Sequence, residues 1–299
     1  MTLHKKIPFY RQLISYASEG FAMLDTESQD EVRKFIKDQQ TESGGFIDRA
    51  GFPDLYYTLF GSFLLSATDL FDTQPATADL NDQPDGGPRL PGNREKMLLY
   101  VGEQQRLPQK SLIHNSCLSI LGKEFRHGSF NNIQRFVVIL KDFVSGAGNI
   151  SRSYQYFMVF LAFDAYGLNN RLTRMLARPF FKRQATMAEM PCPVVAATLV
   201  LKSELGLPLK QELKQLMRFF DEEQGFMALE GAPAADLLST AVALAALKRS
   251  GADLRLVRPA CLKLLEANYD SGAFLAGNGD QDRDTEYTFY GLMALGLLK

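Results

Sequence analysis

The sequence predicts an all-α chain whose helical hairpins close into a ring, and three observations lead there. Apolar residues recur at helical spacing in QELKQLMRFF (211–220) and all round the helix in LLSTAVALAALK (237–248), so amphipathic and wholly buried helices coexist. No stretch alternates apolar and polar residues for long, and β-branched runs such as FVVIL (136–140) sit inside helix-compatible segments. One pattern also recurs along the chain: Gly-(x)-Phe, a short loop, Asp-x-x-x-Thr, then an apolar helix.

The first copy runs through QQTESGGFIDRAGFPDLYYTLFGSFLLSA (39–67), with Gly44, Gly45, Phe46, Asp54 and Thr58 at its key positions. A Pro- and Gly-bearing polar segment follows at 71–93 and reads as a flexible loop over one rim. Weaker copies are placed at Ser111, Ser153 and Thr198. The stretch 171–183 carries Arg171, Arg174, Arg178 and Lys182 at helical spacing, interrupted by Pro179. Strong copies return at 221–247 (Gly225, Phe226, Asp236, Thr240) and 270–298 (Gly272, Phe274, Asp284, Thr288). The six Thr or Ser markers are spaced by 42 to 53 residues, room for one outer and one inner helix per unit. About six hairpins then form an α/α toroid with buried inner helices around a central cavity, expected to be a single domain over 1–299.

Each residue of the pattern has a physical task. Glycine stops the outer helix at positive φ, and phenylalanine turns the chain back onto the core. Aspartate caps the N–H groups of the inner helix at the positive end of its dipole. Threonine, four residues on, lies one turn below on the same face.

The SGGF segment followed by Asp54-Leu55-Tyr56-Tyr57-Thr58, and the closing DTEYTFYGLMALGLL, resemble the repeats of protein prenyltransferase β subunits and of class II terpene cyclases such as squalene-hopene cyclase. The likeness is carried by 35–70 and 216–298, and by spacing alone in 97–215. It implies a lumen that takes a long isoprenoid or lipid-like chain. In the prenyltransferases, Asp and Cys of an Asp-x-Cys-x-Ser/Thr segment and His of an Asp-x-x-His-Thr segment hold zinc. Those positions are Asp236, Leu238 and Tyr287, and Leu and Tyr do not replace thiolate and imidazole, so no metal and no cofactor is expected. The basic residues that grip the diphosphate are missing from ALEGAPAAD (228–236). In class II cyclases the same register carries Asp-x-Asp-Asp-Thr, whose middle carboxyl protonates an alkene or epoxide. Asp284-Thr285-Glu286-Tyr287-Thr288 puts Glu286 at that position, with Asp284 as its partner.

Two readings of the site stand side by side. Glu286 is either an acid favoured at a helix N-terminus or a proton donor kept neutral by desolvation among Tyr57, Tyr287 and Phe289. Asp54, Tyr56, Tyr57, Asp236, Tyr287 and Phe289 are the candidate substrate-binding residues, with the aspartates equally readable as caps and the aromatics as core. The functions that follow are a zinc-independent, acid-initiated cyclase or a noncatalytic binding or scaffold subunit.

A net charge of −1 gives no global field for nucleic acid. Residues 94–218 nonetheless hold 18 basic against 8 acidic residues, and their strip at 171–183 suits a solvated face, a diphosphate-handling rim or a helical partner subunit. Cys117, Cys192 and Cys261 form no CxxC pair, and no run approaches 18 apolar residues, so a cytoplasmic protein without a transmembrane segment is expected.

Overall fold

A computed structural model describes residues 7–71, 92–107, 111–125, 152–167, 171–183, 190–277 and 279–299, without side-chain detail at 152–157 and 180–183. The expected rim loop at 71–93 lies almost wholly outside the described residues, as do 136–140 and the side chain of Ser153. The helices are α1 (Phe9–Phe21), α2 (Thr26–Asp38), α3 (Leu55–Ala67), α4 (Asn93–Arg106), α5 (Leu112–Glu124) and α6 (Arg152–Ala165). They continue with α7 (Arg171–Arg183), α8 (Cys192–Glu204), α9 (Lys210–Leu216), α10 (Leu237–Ser250), α11 (Arg258–Ala267) and α12 (Thr285–Leu297).

Six of these helices, α3, α5, α6, α8, α10 and α12, each pack against the next, and α12 returns to α3. The ring therefore closes. In chain order α2, α4, α7, α9 and α11 each precede an inner helix, giving the alternation that the sequence predicts. Apolar residues all round are what an inner helix needs: Leu237, Ala241, Ala243, Leu244 and Ala246 of α10 are each fully buried.

The short loops of the pattern are small antiparallel hairpins, which the sequence does not announce. In the first, β1 (Phe46–Ile47) pairs with β2 (Pro53–Asp54), Phe46 opposite Asp54. The second is β3 (Phe220–Asp221) with β4 (Gly225–Phe226), and the last is β5 (Tyr269–Asp270), β6 (Ala273–Gly277) and β7 (Asp280–Arg283). They explain the threonine. The backbone N–H of Phe46 donates to Thr58 Oγ1 at 2.9 Å, that of Phe226 to Thr240 Oγ1 at 3.1 Å and that of Phe274 to Thr288 Oγ1 at 3.3 Å. A hairpin N–H that cannot reach water thus finds an acceptor on the inner helix. The phenylalanine ring then lies over a helix glycine, Phe46 on Gly61 and Phe274 on Gly291, where a Cβ would come within 2.4 and 2.2 Å of ring carbon.

Gly44 and Gly272 have φ of +92° and +88°, and a Cβ on either would strike the backbone of another outer helix, at Lys96 of α4 and Glu31 of α2. Ser111 differs from its predicted register. It caps α5 by accepting from the His114 N–H at 3.1 Å, so the marker position belongs to Asn115, which donates to the Ser111 carbonyl.

Thr58→Val keeps the shape of the side chain but leaves the buried Phe46 N–H without its acceptor. Its expected cost is about 2 kcal/mol of unfolding free energy, read by urea denaturation. An unchanged midpoint would show that this bond does not hold the hairpin.

Helix α1 lies outside the hairpin alternation. Its C-terminal half packs along α12 so closely that a Cβ on Gly20 would meet Leu292 O at 1.9 Å and one on Gly296 would meet Tyr16 O at 1.9 Å. Its N-terminal half crosses the rim where the inner helices end. There Tyr10 Oη donates to Glu124 of α5 at 3.0 Å, the Phe9 N–H donates to Asp164 of α6, and Gln12 accepts from Arg249 of α10 at 3.3 Å. Arg249 also pairs with Glu204 of α8. These partners stand in the last turns of their helices, so α1 floors the ring at that end.

Candidate functional site

A cavity of about 240 Å³ remains inside the ring, bounded below by Phe9 and Leu13 of α1. Most of its wall on α3, α10 and α12 follows one register, the positions two, six and nine residues after each capping aspartate, with Leu59 and Phe289 added at the fifth. On α3 these are Tyr56, Phe60 and Phe63, and on α10 Leu238, Val242 and Ala245. On α12 they are Glu286, Tyr290 and Met293. This i, i+4, i+7 face is the stripe that an inner helix turns toward the axis. Two sides of the cavity differ in character. The α3/α12 side is aromatic, with Phe60 at ring-centroid distances of 5.0 Å from Tyr56, 5.7 Å from Phe289 and 5.4 Å from Tyr290. The α8/α10 side is small and aliphatic, with Ala196, Ala197 and Val200 opposite the rings.

Of the residues expected at the site, Tyr56, Glu286 and Phe289 line this cavity; Asp54, Tyr57, Asp236, Asp284 and Tyr287 do not. The aspartates are caps. Asp54 Oδ1 accepts from the N–H groups of Tyr56 and Tyr57 at 2.7 and 3.1 Å, Asp236 Oδ1 from Ser239 at 2.8 Å, and Asp284 Oδ1 from Tyr287 at 2.8 Å. Asp284 Oδ2 also accepts from Arg49 Nε at 2.8 Å, and Arg49 reaches Asp280 at 2.8 Å and covers the Tyr287 ring at 5.2 Å. Arg49 thereby ties the first hairpin to the last, where the ring closes. Tyr57 and Tyr287 stand one residue past the lumen register, which turns them about 100° away from the axis. Leu13 and Phe9 were not among the expected site residues.

Glu286 is the one ionisable carboxyl among the described residues that line the cavity, and no Lys, Arg or His joins it there. Tyr56 Oη donates to its Oε1 at 2.7 Å. Burial raises its pKa from the ordinary 4.5 to about 7; the Tyr56 hydrogen bond lowers it, the Asp284 charge raises it and Arg49 lowers it. Near neutrality the group exists in both forms. As an acid it donates a hydrogen bond, and as a carboxylate it holds a cation. A carboxyl titrating near 7 is a weak acid for an alkene, and suits exchange with an oxygen or nitrogen of a ligand.

The zinc position of the resembled prenyltransferases does not fit here. Leu238 lines the cavity with a side chain that offers no donor atom, and Tyr287 lies under Arg49. Among the described residues no three His, Cys, Asp or Glu side chains come together as a metal site. Asp236 is instead half-buried, its Oδ2 has no hydrogen-bond partner among the described residues, and burial raises its pKa.

Comparison with known families agrees with this architecture. A family model described as the prenyltransferase alpha-alpha toroid domain matches residues 15–85 and 168–299. No curated protein and no solved structure matches the chain.

Proposed function

The chain belongs to the prenyltransferase alpha-alpha toroid family, and from that premise we propose that its lumen binds an apolar, isoprenoid-like chain whose polar end meets Glu286 and Tyr56. The observation that carries this reading is the cavity itself: lined mostly by apolar side chains among the described residues, floored by α1, with one carboxyl near the N-terminal ends of the inner helices. A cavity of about 150 Å³ holds benzene, so 240 Å³ corresponds by proportion to about ten carbon atoms, or two isoprene units. Phe9 and Leu13 occupy one end of the lumen, so a longer chain would extend from the other end. Zinc-activated thiol prenylation is not part of this reading, since Leu238 and Tyr287 cannot complete the metal site.

The wall groups divide the work. Phe60, Phe289 and Tyr290 exclude water and pack the chain, while Tyr56 holds the Glu286 carboxyl toward the cavity. In its neutral form Glu286 donates to a ligand oxygen, which is also the starting point of the cyclase reading. A helical partner subunit and a cytoplasmic setting remain part of the proposal; no described helix is long and apolar enough to cross a membrane.

Calorimetric titration with geraniol tests the reading. Binding in the micromolar range is expected for the natural sequence, with at least a tenfold loss in Ala197→Phe, which fills the aliphatic side of the lumen. Equal affinity in the two proteins would place the ligand elsewhere. The same protein incubated with geraniol and Glu286→Gln compared with it would reveal any acid-initiated turnover as a product lost in the variant.

A further inference from the structure

We propose that the preferred ligand of the lumen is cationic at its polar end, an apolar chain bearing an amine or ammonium group paired with the Glu286 carboxylate. The inference rests on the reading of the lumen as a binding cavity and names the chemistry of its polar end. Glu286 uses Oε1 for the Tyr56 hydroxyl, and no described residue donates to its Oε2. Among the described residues that line the cavity, Glu286 is negative and none is positive. One turn below, the rings of Phe60 and Tyr290 line the cavity with centroids 5.4 Å apart, and aromatic rings attract a cation that comes to their faces. A carboxylate among aromatic rings is complementary to an ammonium group, and repels a phosphate or diphosphate that meets no basic side chain among the described lining residues.

The groups acting on Glu286 come from three places. Tyr56 approaches from α3, Arg49 from the loop between β1 and β2, and Asp284 from the start of its own helix. Facing it, α8 and α10 bring Pro193, Ala196 and Leu238, and α1 brings only Phe9 and Leu13. Arg49 and Asp284 act on Glu286 from outside the cavity, and among the described residues that line it Glu286 carries the one charge. Because the amine stays protonated well above pH 8 while the carboxyl titrates near 7, the ionised fraction of Glu286 rises about tenfold between pH 6 and pH 8. Amine binding therefore strengthens with pH over that window. A proton-donor role has the opposite sign, since it needs the form that disappears as pH rises.

Geranylamine, geraniol and geranyl phosphate share one skeleton and differ only in the polar end, so side-by-side calorimetry of the natural protein at pH 6 and pH 8 isolates it. The expected order at pH 8 is geranylamine ahead of geraniol by at least tenfold, with geranyl phosphate weakest. Geranylamine affinity should rise about tenfold from pH 6 to pH 8 and geraniol affinity should not. In Glu286→Gln the amine advantage should vanish while geraniol still binds; Tyr56→Phe, which keeps the carboxyl but removes a hydrogen bond that lowers its pKa, should retain the advantage with its pH dependence moved upward. Geraniol equal to or better than the amine at pH 8 overturns the inference and leaves the lumen reading intact. Binding of none of the three overturns both, and an amine advantage that survives Glu286→Gln places the cation at another group.

Discussion

Glu286→Gln should make the protein more stable at pH 8, by up to about 3 kcal/mol, and by less than about 1 kcal/mol at pH 5. The sign follows from which state binds the proton. The folded-state pKa of about 7 lies above the ordinary 4.5, so between those values the native protein holds a proton that the unfolded chain has released. Stability is then lost as pH rises from 4.5 to 7, and above 7 the native state carries the whole cost of an ionised carboxyl in an apolar lumen. Glutamine keeps the shape and the acceptor for Tyr56 without that cost. Urea denaturation of both proteins at the two pH values reads the difference directly. A variant destabilised equally at pH 5 and pH 8 would mean that Glu286 acts as an ordinary helix N-terminal carboxylate.

Gly296→Ala is the second large effect. The added methyl would stand 1.9 Å from Tyr16 O and 2.7 Å from Gly20 N, both backbone atoms, so no side-chain rearrangement relieves the contact. Helix α1 has to leave its seat on α12. About 3 kcal/mol of stability should go with it, the upper part of the range for overpacking a filled contact. The lumen should open at its floor, since Phe9 and Leu13 move with the helix. Limited proteolysis ahead of residue 25 should then accelerate and geraniol affinity should fall. Gly102→Ala, in α4 with nothing within 4 Å of the added methyl, is the matched control and should cost nothing. Equal effects of the two substitutions would contradict the close α1–α12 packing.

What the sequence shows of this architecture is what repeats locally. Gly-(x)-Phe followed by Asp-x-x-x-Thr encodes a hairpin, a cap and a buried acceptor within 20 residues of one another, so three units are legible from residue types alone. The middle of the chain lacks those residues. Its α5 is capped by Ser111 and its α8 begins after Pro191, which is why only spacing supports that stretch and why the family model passes over residues 86–167. The lumen register was also available: counting four and seven residues on from Glu286 reaches Tyr290 and Met293, and from Tyr56 reaches Phe60 and Phe63. Assigning wall positions by the zinc motif instead favours Tyr57 and Tyr287, one residue off that face. Helix α1 is beyond local reading altogether. Its apolar spacing looks like that of any amphipathic helix, and its role as a floor depends on Gly20 meeting Gly296, which only the closed ring brings together.

Native mass spectrometry of the purified protein with geraniol, set against Ala197→Phe under the same conditions, tests the central claim most directly. The account predicts one bound ligand per chain in the natural protein, retained through gentle activation, and none in the filled variant. Identical spectra from the two proteins, whether both bound or both empty, would contradict a lumen that exists to hold an apolar chain.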